Sequence, residues 1–219
     1  VSRRGRPGRA RRGRFIVLEG LDGAGTTTQA RLLGERLKAD GHAVHVTAEP
    51  SGGPAGALVR QVLQHRITGG RGGDFDAHAL ALLFAADRLD HVAAEVAPRL
   101  ADGCDVVSDR YTLSSLAYQG LTTGDLGWVE AINDRAPAPD LTIFLRVRAG
   151  LALGRRQAAG TSPELYEVAT FQRRVARSYE RSIEALRLAG QRVEVLDGAA
   201  PVAQVAGQVA GLVSRLRRR

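Results

Sequence analysis

Residues 15 to 28 read Phe15-Ile16-Val17-Leu18-Glu19-Gly20-Leu21-Asp22-Gly23-Ala24-Gly25-Thr26-Thr27-Thr28. An apolar strand runs into a glycine-rich turn and then into a helix. The turn fits the phosphate-cradling pattern G-x-x-x-x-G-K-[ST] at every fixed position but one, because Thr26 stands where the lysine belongs. Gly20 and Gly25 permit a turn whose N–H groups point inward at phosphate oxygens. The helix that follows adds its N-terminal partial charge. On this reading Gly20, Gly23, Ala24, Gly25, Thr26, Thr27 and Thr28 bind a nucleoside triphosphate, and Thr27 offers its hydroxyl to Mg²⁺. Taken alone, a glycine-rich turn would also suit a purely structural connection.

The missing lysine has no neighbour to replace it. The chain has one lysine, Lys38, twelve residues along the same helix, so about 18 Å away at 1.5 Å per residue. A charge-assisted contact is worth about 1.5–3 kcal/mol, hence roughly 10- to 100-fold in rate if it acts in the transition state alone. Arginines and Mg²⁺ are expected to cover that deficit.

Five apolar runs alternate with helical patterns: 15–18, 43–47, 104–108, 141–147 and 192–196. They are continuous rather than alternating, as in parallel strands covered on both faces. Helical stretches fall near 26–40, 54–67, 76–100, 112–119, 125–134, 149–158, 163–189 and 201–216. This alternation predicts a doubly wound α/β fold: a five-stranded parallel sheet in three layers, with helices on both faces. Sites in such sheets gather at the carboxyl ends of strands. The Gly20–Thr28 turn, Glu49-Pro50, Asp109-Arg110-Tyr111 and the region after Val147 all fall there.

The 219 residues, 44% hydrophobic and 25% charged, suit one domain with a sizeable core. The formal charge of +8 is concentrated in a tail, since seven arginines lie between Arg3 and Arg14 and the body carries about +1 (8 − 7). Residues 1 to 13 are expected to form a disordered extension, with the domain running from 14 to 219. That tail could touch nucleic acid weakly, yet no aromatic residues interleave to stack bases. An extension of no function, or an over-long gene start, is the preferred reading. No apolar run approaches the roughly 20 residues that span a bilayer, and no signal-peptide core follows the arginines. The expected address is the cytoplasm. Cys104, the single cysteine, reads as a small residue in a buried strand.

Together these residues resemble the thymidylate kinases, a family of P-loop nucleoside monophosphate kinases. The resemblance covers the chain from about Phe15 to its end. Besides the turn it rests on Glu49-Pro50-Ser51-Gly52, on Leu83-Phe84-Ala85-Ala86-Asp87-Arg88, on Pro139-Asp140-Leu141-Thr142 and, most specifically, on Ser108-Asp109-Arg110-Tyr111 through Tyr118-Gln119-Gly120. It implies a P-loop NTPase fold with a lid, and transfer of the γ-phosphoryl of ATP to dTMP with Mg²⁺ present. It also implies an acceptor site that includes Glu49 and Pro50. Phe84 would stack on thymine and Arg88 would bond a base carbonyl; their spacing of four puts both on one helix face. Asp22 would lie near the acceptor sugar and phosphate, and Arg110 would clamp that phosphate. Asp109 would join Thr27 at the metal. Ser115 and Tyr118 would face the nucleoside, with Tyr118 crowding the sugar 2′ position. Tyr166 and Glu167 match a lid pair near the acceptor. Arg155 or Arg156, on the lid side, is the leading candidate for the compensating cation, with no ground for choosing between them. The resemblance further implies a homodimer, with residues 76–100 as a plausible surface. The rival readings are a kinase for another deoxynucleotide and a nucleotide-binding homologue of impaired activity, the latter favoured by Thr26.

Overall fold

The computed structural model describes residues 12–158 and 169–217. Five parallel strands, β1 (Phe15–Gly20), β2 (Val44–Ala48), β3 (Asp105–Asp109), β4 (Leu141–Arg146) and β5 (Val193–Asp197), stand in the order β2-β3-β1-β4-β5. The helices are α1 (Thr26–Ala39), α2 (Pro54–Leu63), α3 (Ala77–His91), α4 (Ala97–Ala101), α5 (Thr112–Thr123), α6 (Leu126–Asn133), α7 (Ala149–Ala158), α8 (Ala169–Leu188) and α9 (Val202–Arg217). All five apolar runs are strands, and the predicted three-layer α/β sheet is the observed one.

The side chains of β1 show why two layers of helix are needed. Ile16 and Leu18 enter one core with residues of α1, α5, α8 and α9. Phe15 and Val17 enter a second with Val96, Leu100, Val106 and Tyr111. Alternation along a strand sends neighbours to opposite faces, and both faces here are apolar. Leu18 pairs in register with Asp109, Ala48 pairs with Asp109 from the other side, and Gly20 pairs with Leu145. The chain therefore leaves β1, β2, β3 and β4 in one row, and the predicted site residues start from that row.

Several expectations shift. The helix predicted over 76–100 is continuous only with a π turn at Val92–Val96. Pro98 has no N–H for an i−4 bond and its ring crowds the carbonyl of Ala94; the wider turn just before it relieves the clash. Helix α2 stops at Leu63, short of the predicted 67, because His65 adopts φ 54° and Arg66 and Ile67 both donate back to the Gln61 carbonyl. Cys104 is not in a buried strand: it is partly exposed and precedes β3. Arg12 and Gly13, read as tail, are attached to the body. Arg12 pairs with Asp140 at 3.0 Å, and Gly13 N donates to the Leu100 carbonyl at 2.9 Å. Residues 1–11 of the tail, and the first part of the helix expected from 163, lie outside the described residues.

Helix α2 is seated on the turn after β2 at Gly56. A Cβ there would lie 2.2 Å from the Ser51 carbonyl oxygen and 2.7 Å from Asp87 Oδ1. Neither atom is the free end of a flexible chain, because Asp87 accepts from Ser51 N (2.8 Å) and Ser51 Oγ (2.5 Å). Gly56→Ala should destabilise the protein by about 1–3 kcal/mol, read as a lower denaturation midpoint. It should disturb the Glu49-Pro50-Ser51 turn more than the glycine-rich loop.

Candidate active site

The glycine-rich turn leaves β1 and enters α1 with Gly23 and Gly25 at φ 87° and 96°. Such values favour residues without a Cβ. Gly23 is also crowded: a Cβ would lie 2.2 Å from the Ala152 carbonyl oxygen. Thr26 is buried, whereas Thr27 and Thr28 at the helix start are exposed. Thr27 Oγ1 donates to Asp109 Oδ2 at 2.5 Å across the gap between β1 and β3.

Two cavities open on this row. One is lined by the turn from Asp22 to Gln29 together with Arg155, Arg156, Gly198 and Val202, and encloses about 610 Å³. The other, of about 230 Å³, is lined by Glu49, Pro50, Phe84, Arg88, Ser115 and Tyr118 among others. The larger has the glycine-rich turn as its floor and the smaller has an aromatic and charged wall, chemistry that suits a triphosphate on one side and a nucleotide on the other. Asp22 and Arg110 line both. They form the wall through which a group would pass.

That wall is held tightly. Asp22 Oδ1 accepts from Arg110 at 2.5 Å; its Oδ2 accepts from Tyr118 Oη at 3.1 Å and Gln172 Nε2 at 3.3 Å. Arg156 approaches the same oxygen at 3.8 Å. Arg110 also donates to Ser114 Oγ (3.0 Å) and Tyr179 Oη (3.2 Å), and its guanidinium lies 5.7 Å from the Tyr118 ring centre. Burial works against the Arg110 charge, but Asp22 together with Tyr179, Tyr118 and Asp109 outweighs it and the pKa rises. Burial pushes the Tyr118 hydroxyl up as well, and Asp22 adds to it. Both groups keep their protons throughout the neutral range.

The backbone of Arg110 is strained, with φ 73° in a non-glycine residue. Glu19 accounts for its persistence. This carboxylate, fully buried at the end of β1, accepts from Tyr111 N (2.9 Å), Ser114 N (3.1 Å) and Ser114 Oγ (2.6 Å), with Tyr179 Oη at 3.3 Å. It caps α5 from another element, satisfying N–H groups that the helix start leaves open. Arg110 is the residue just before that cap, and its own N–H donates to Leu18 O at 2.8 Å. Burial raises the Glu19 pKa from 4.5 to about 7, although the Arg110 charge and the donors from Ser114 and Tyr111 pull it back.

Arg88 is 1% exposed and well occupied. Its Nε and Nη2 donate to Glu49 Oε2 (2.9 and 2.8 Å), Nη2 also donates to Ser115 Oγ (3.0 Å), and Nη1 reaches Asn133 Oδ1. It stands 5.3 Å from the Tyr111 ring centre. Glu49 in turn receives His91 Nδ1 at 3.2 Å. Burial disfavours a charged His91, but the Glu49 hydrogen bond and charge prevail and its pKa rises.

The sequence model of the thymidylate kinases matches residues 18–209. The chain belongs to that family. It is 42% identical to the "Probable thymidylate kinase" of Pyrococcus horikoshii over 174 residues, 79% of this chain and 84% of that protein. A protein of the same name from Pyrobaculum aerophilum is 40% identical over 205 residues, covering 93% and 98%. That of Pyrococcus abyssi is 38% identical over 203 residues, covering 92% and 96%. The matched residues include those that line the two cavities.

Of the predicted residues, Asp22 to Thr28, Arg110, Arg155 and Arg156 line the larger cavity, and Asp22, Glu49, Pro50, Phe84, Arg88, Arg110, Ser115 and Tyr118 line the smaller; Gly20 and Asp109 line neither, though Asp109 is joined to Thr27. Tyr166 and Glu167 lie outside the described residues. Sequence reasoning assigned no role to Glu19, Asp87, Asn133, Gln172 or Tyr179. Glu19 carried a signal, a lone acid closing an apolar strand; the others sit in helices where nothing distinguishes them from ordinary polar positions.

Because the folded pKa of Glu19 exceeds 4.5, folding takes up a proton between about pH 4.5 and 7. Stability is therefore highest below that window and falls as pH rises through it, by about 3 kcal/mol for a shift of that size. Glu19→Gln should lower stability at every pH but flatten this decline. Urea midpoints at pH 5 and 7 for both proteins check it, and equal declines would exclude Glu19 as the titrating group.

Proposed function

We propose that this protein transfers the γ-phosphoryl group of ATP to dTMP, giving ADP and dTDP. The observation that carries the reading is the wall shared by the two cavities: Asp22 and Arg110 face donor and acceptor alike. A phosphate oxygen of dTMP attacks the γ-phosphorus in line. The bond from that phosphorus to the β–γ bridging oxygen breaks, and its electron pair leaves with ADP. Such transfer needs positioning and charge stabilisation rather than covalent help.

The loop amides and the α1 N-terminus hold the donor phosphates. Arg110, already fixed by Asp22, Ser114 and Tyr179, presents its planar fork to the acceptor phosphate. Phe84 stacks on the thymine ring. Arg88, so fully engaged with Glu49, Asn133 and Ser115, offers the base a rigid donor edge. Tyr118, pinned to Asp22, crowds the 2′ position of the sugar. Tyr166 and Glu167 belong to the same reading as lid residues near the acceptor, as do Arg155 and Arg156 on the donor side.

Mg²⁺ is part of the proposal. Thr27 and Asp109 supply hard oxygen donors, and Asp109 Oδ1 is buried without a hydrogen-bond partner among the described residues. That donor set fits an ion that retains water and substrate phosphate as further ligands. When bound, the ion would neutralise charge on the β- and γ-oxygens. A cytoplasmic address also belongs here; among the described residues no helix is long and apolar enough to cross a membrane. So does a homodimer through α3, whose Leu82 and Leu89 are 50% and 38% exposed. Nucleic-acid contact through the arginine tail is not favoured.

A coupled ADP-release assay tests the activity. Release should depend on dTMP and be far slower with dCMP or thymidine as acceptor; rapid turnover of thymidine, or release indifferent to dTMP, would defeat the proposal. Arg110→Ala should raise KM for dTMP at least tenfold, with a smaller change in KM for ATP. Unchanged acceptor kinetics would remove Arg110 from the site.

A further inference from the structure

Arg88 and Glu49 both line the smaller cavity. The two oxygens of Glu49 have different partners. Oε2 accepts from Arg88 Nε at 2.9 Å, with Nη2 at 2.8 Å; Oε1 faces His91 Nδ1 at 3.2 Å. The carboxylate thus joins a cavity arginine to a histidine behind it. His91 does not line the cavity, and its side chain is 0% exposed. It follows Arg88 by three positions on α3, close to one helical turn.

Charged groups from every side face the His91 ring. Asp87 and Arg88 belong to its own helix and Glu49 follows β2. Glu95 comes from the π turn, with Oε2 3.8 Å from Nε2. Thr47 Oγ1, on β2, is 2.8 Å from the same nitrogen, and His45 of that strand holds Glu95 Oε1. Burial works against a charged ring, but Glu49, by hydrogen bond and charge, and then Glu95 and Asp87 carry its pKa above 6.5. A protonated ring donates from both nitrogens. Nδ1–H goes to Glu49 and Nε2–H to the Thr47 oxygen, and the Thr47 hydroxyl keeps its own proton for Glu95. A neutral ring has one donor. With the proton on Nδ1, the Glu49 contact loses its charge, and Thr47 must turn its proton from Glu95 to Nε2. With the proton on Nε2, two unshared pairs face each other at Glu49. Either way Glu49 is held less firmly.

We infer that His91 is a positioning residue for the acceptor: through Glu49 it sets the direction and donor strength of the Arg88 guanidinium, so that binding of the dTMP base depends on an imidazole that does not touch it. The inference rests on the proposed kinase reading and deepens it. An imidazolium on Oε1 draws negative charge away from Oε2, and Arg88 keeps more of its own charge for the cavity. Loss of the proton reverses both effects.

Calorimetric Kd values for dTMP from about pH 6 to about pH 8.5 test it on wild type, His91→Leu and His91→Asn, with kcat and KM for ATP from the coupled assay. His91→Leu removes both ring nitrogens and should weaken dTMP roughly tenfold at the acid end. His91→Asn, whose amide nitrogen can stand in for Nδ1, should lose less. In both variants dTMP affinity should fall less steeply above pH 6.5 than in wild type; the substrate phosphate titrates alike in all three and drops out of the comparison. KM for ATP should change far less than Kd for dTMP. By linkage, dTMP should in turn raise the pKa of the His91 ring in wild type, read from its imidazole NMR signals with and without dTMP. A His91 pKa that dTMP leaves unmoved overturns the inference, and this readout needs no variant to fold. A variant slope equal to that of wild type, or a loss shared equally by dTMP and ATP, overturns it too. If wild type shows no dTMP-dependent ADP release, the kinase reading fails and this inference with it; an active wild type whose dTMP affinity ignores His91 sinks the inference alone.

Discussion

A single carboxylate buried between two strands organises the reacting end of this molecule. Glu19 closes β1, one residue before the glycine-rich turn, and receives the open N–H groups of α5. Through that contact the end of one strand is tied to the start of the helix that follows another. The turn and Arg110 are then two outputs of one fixed point. Burying a carboxylate without compensation would cost several kcal/mol, and here the cost is offset by backbone N–H groups, Ser114, Tyr179 and the nearby Arg110 charge. The unusual backbone of Arg110 follows from the same geometry. The chain must leave β3 and begin α5 at a place set by Glu19, and one residue in between takes up the turn.

Charge on the shared wall is arranged around Asp22. It faces two guanidiniums, one at 2.5 Å and one at 3.8 Å. With no substrate, this carboxylate keeps the cations near each other. The shorter pair is made by Arg110, which lines both cavities, and the longer by Arg156, which lines only the larger. The hydroxyls of Ser114 and Tyr179 hold Arg110 as well.

The sheet was legible because its evidence is local. Each strand is a continuous apolar run, and burial on both faces leaves no competing period. Helix ends were less so. The π turn before Pro98 and the stop at His65 depend on backbone values that composition does not announce. The glycine-rich turn was readable from glycine spacing, and the family's ordered motifs pointed to Arg110 and Phe84, which line a cavity. What could not be read was who holds whom. Arg88 appears in sequence as a base-binding residue, yet its guanidinium is also the hub of Glu49, Asn133 and Ser115, which come from three other parts of the chain. Arg155 and Arg156 both line the larger cavity, and only the direction in which α7 presents each puts one on the Gly198 carbonyl and the other near Asp22.

The Arg88 hub also bears on how rigid the smaller cavity is. A guanidinium with free rotation could swing across such a cavity. Here Glu49 fixes one edge of the guanidinium, and His91, with 0% side-chain exposure, fixes Glu49 from behind. His91 reaches on to Thr47 at 2.8 Å, so the chain of contacts runs from the cavity to the edge strand β2. Asp87, one residue from Arg88 on α3, grips the Ser51 turn. The residue pair Asp87-Arg88 therefore locks α3 to the end of β2 by two independent carboxylate contacts, one given and one received. Any displacement of this guanidinium would have to move a helix rather than a side chain, so the polar wall of the smaller cavity is fixed in position.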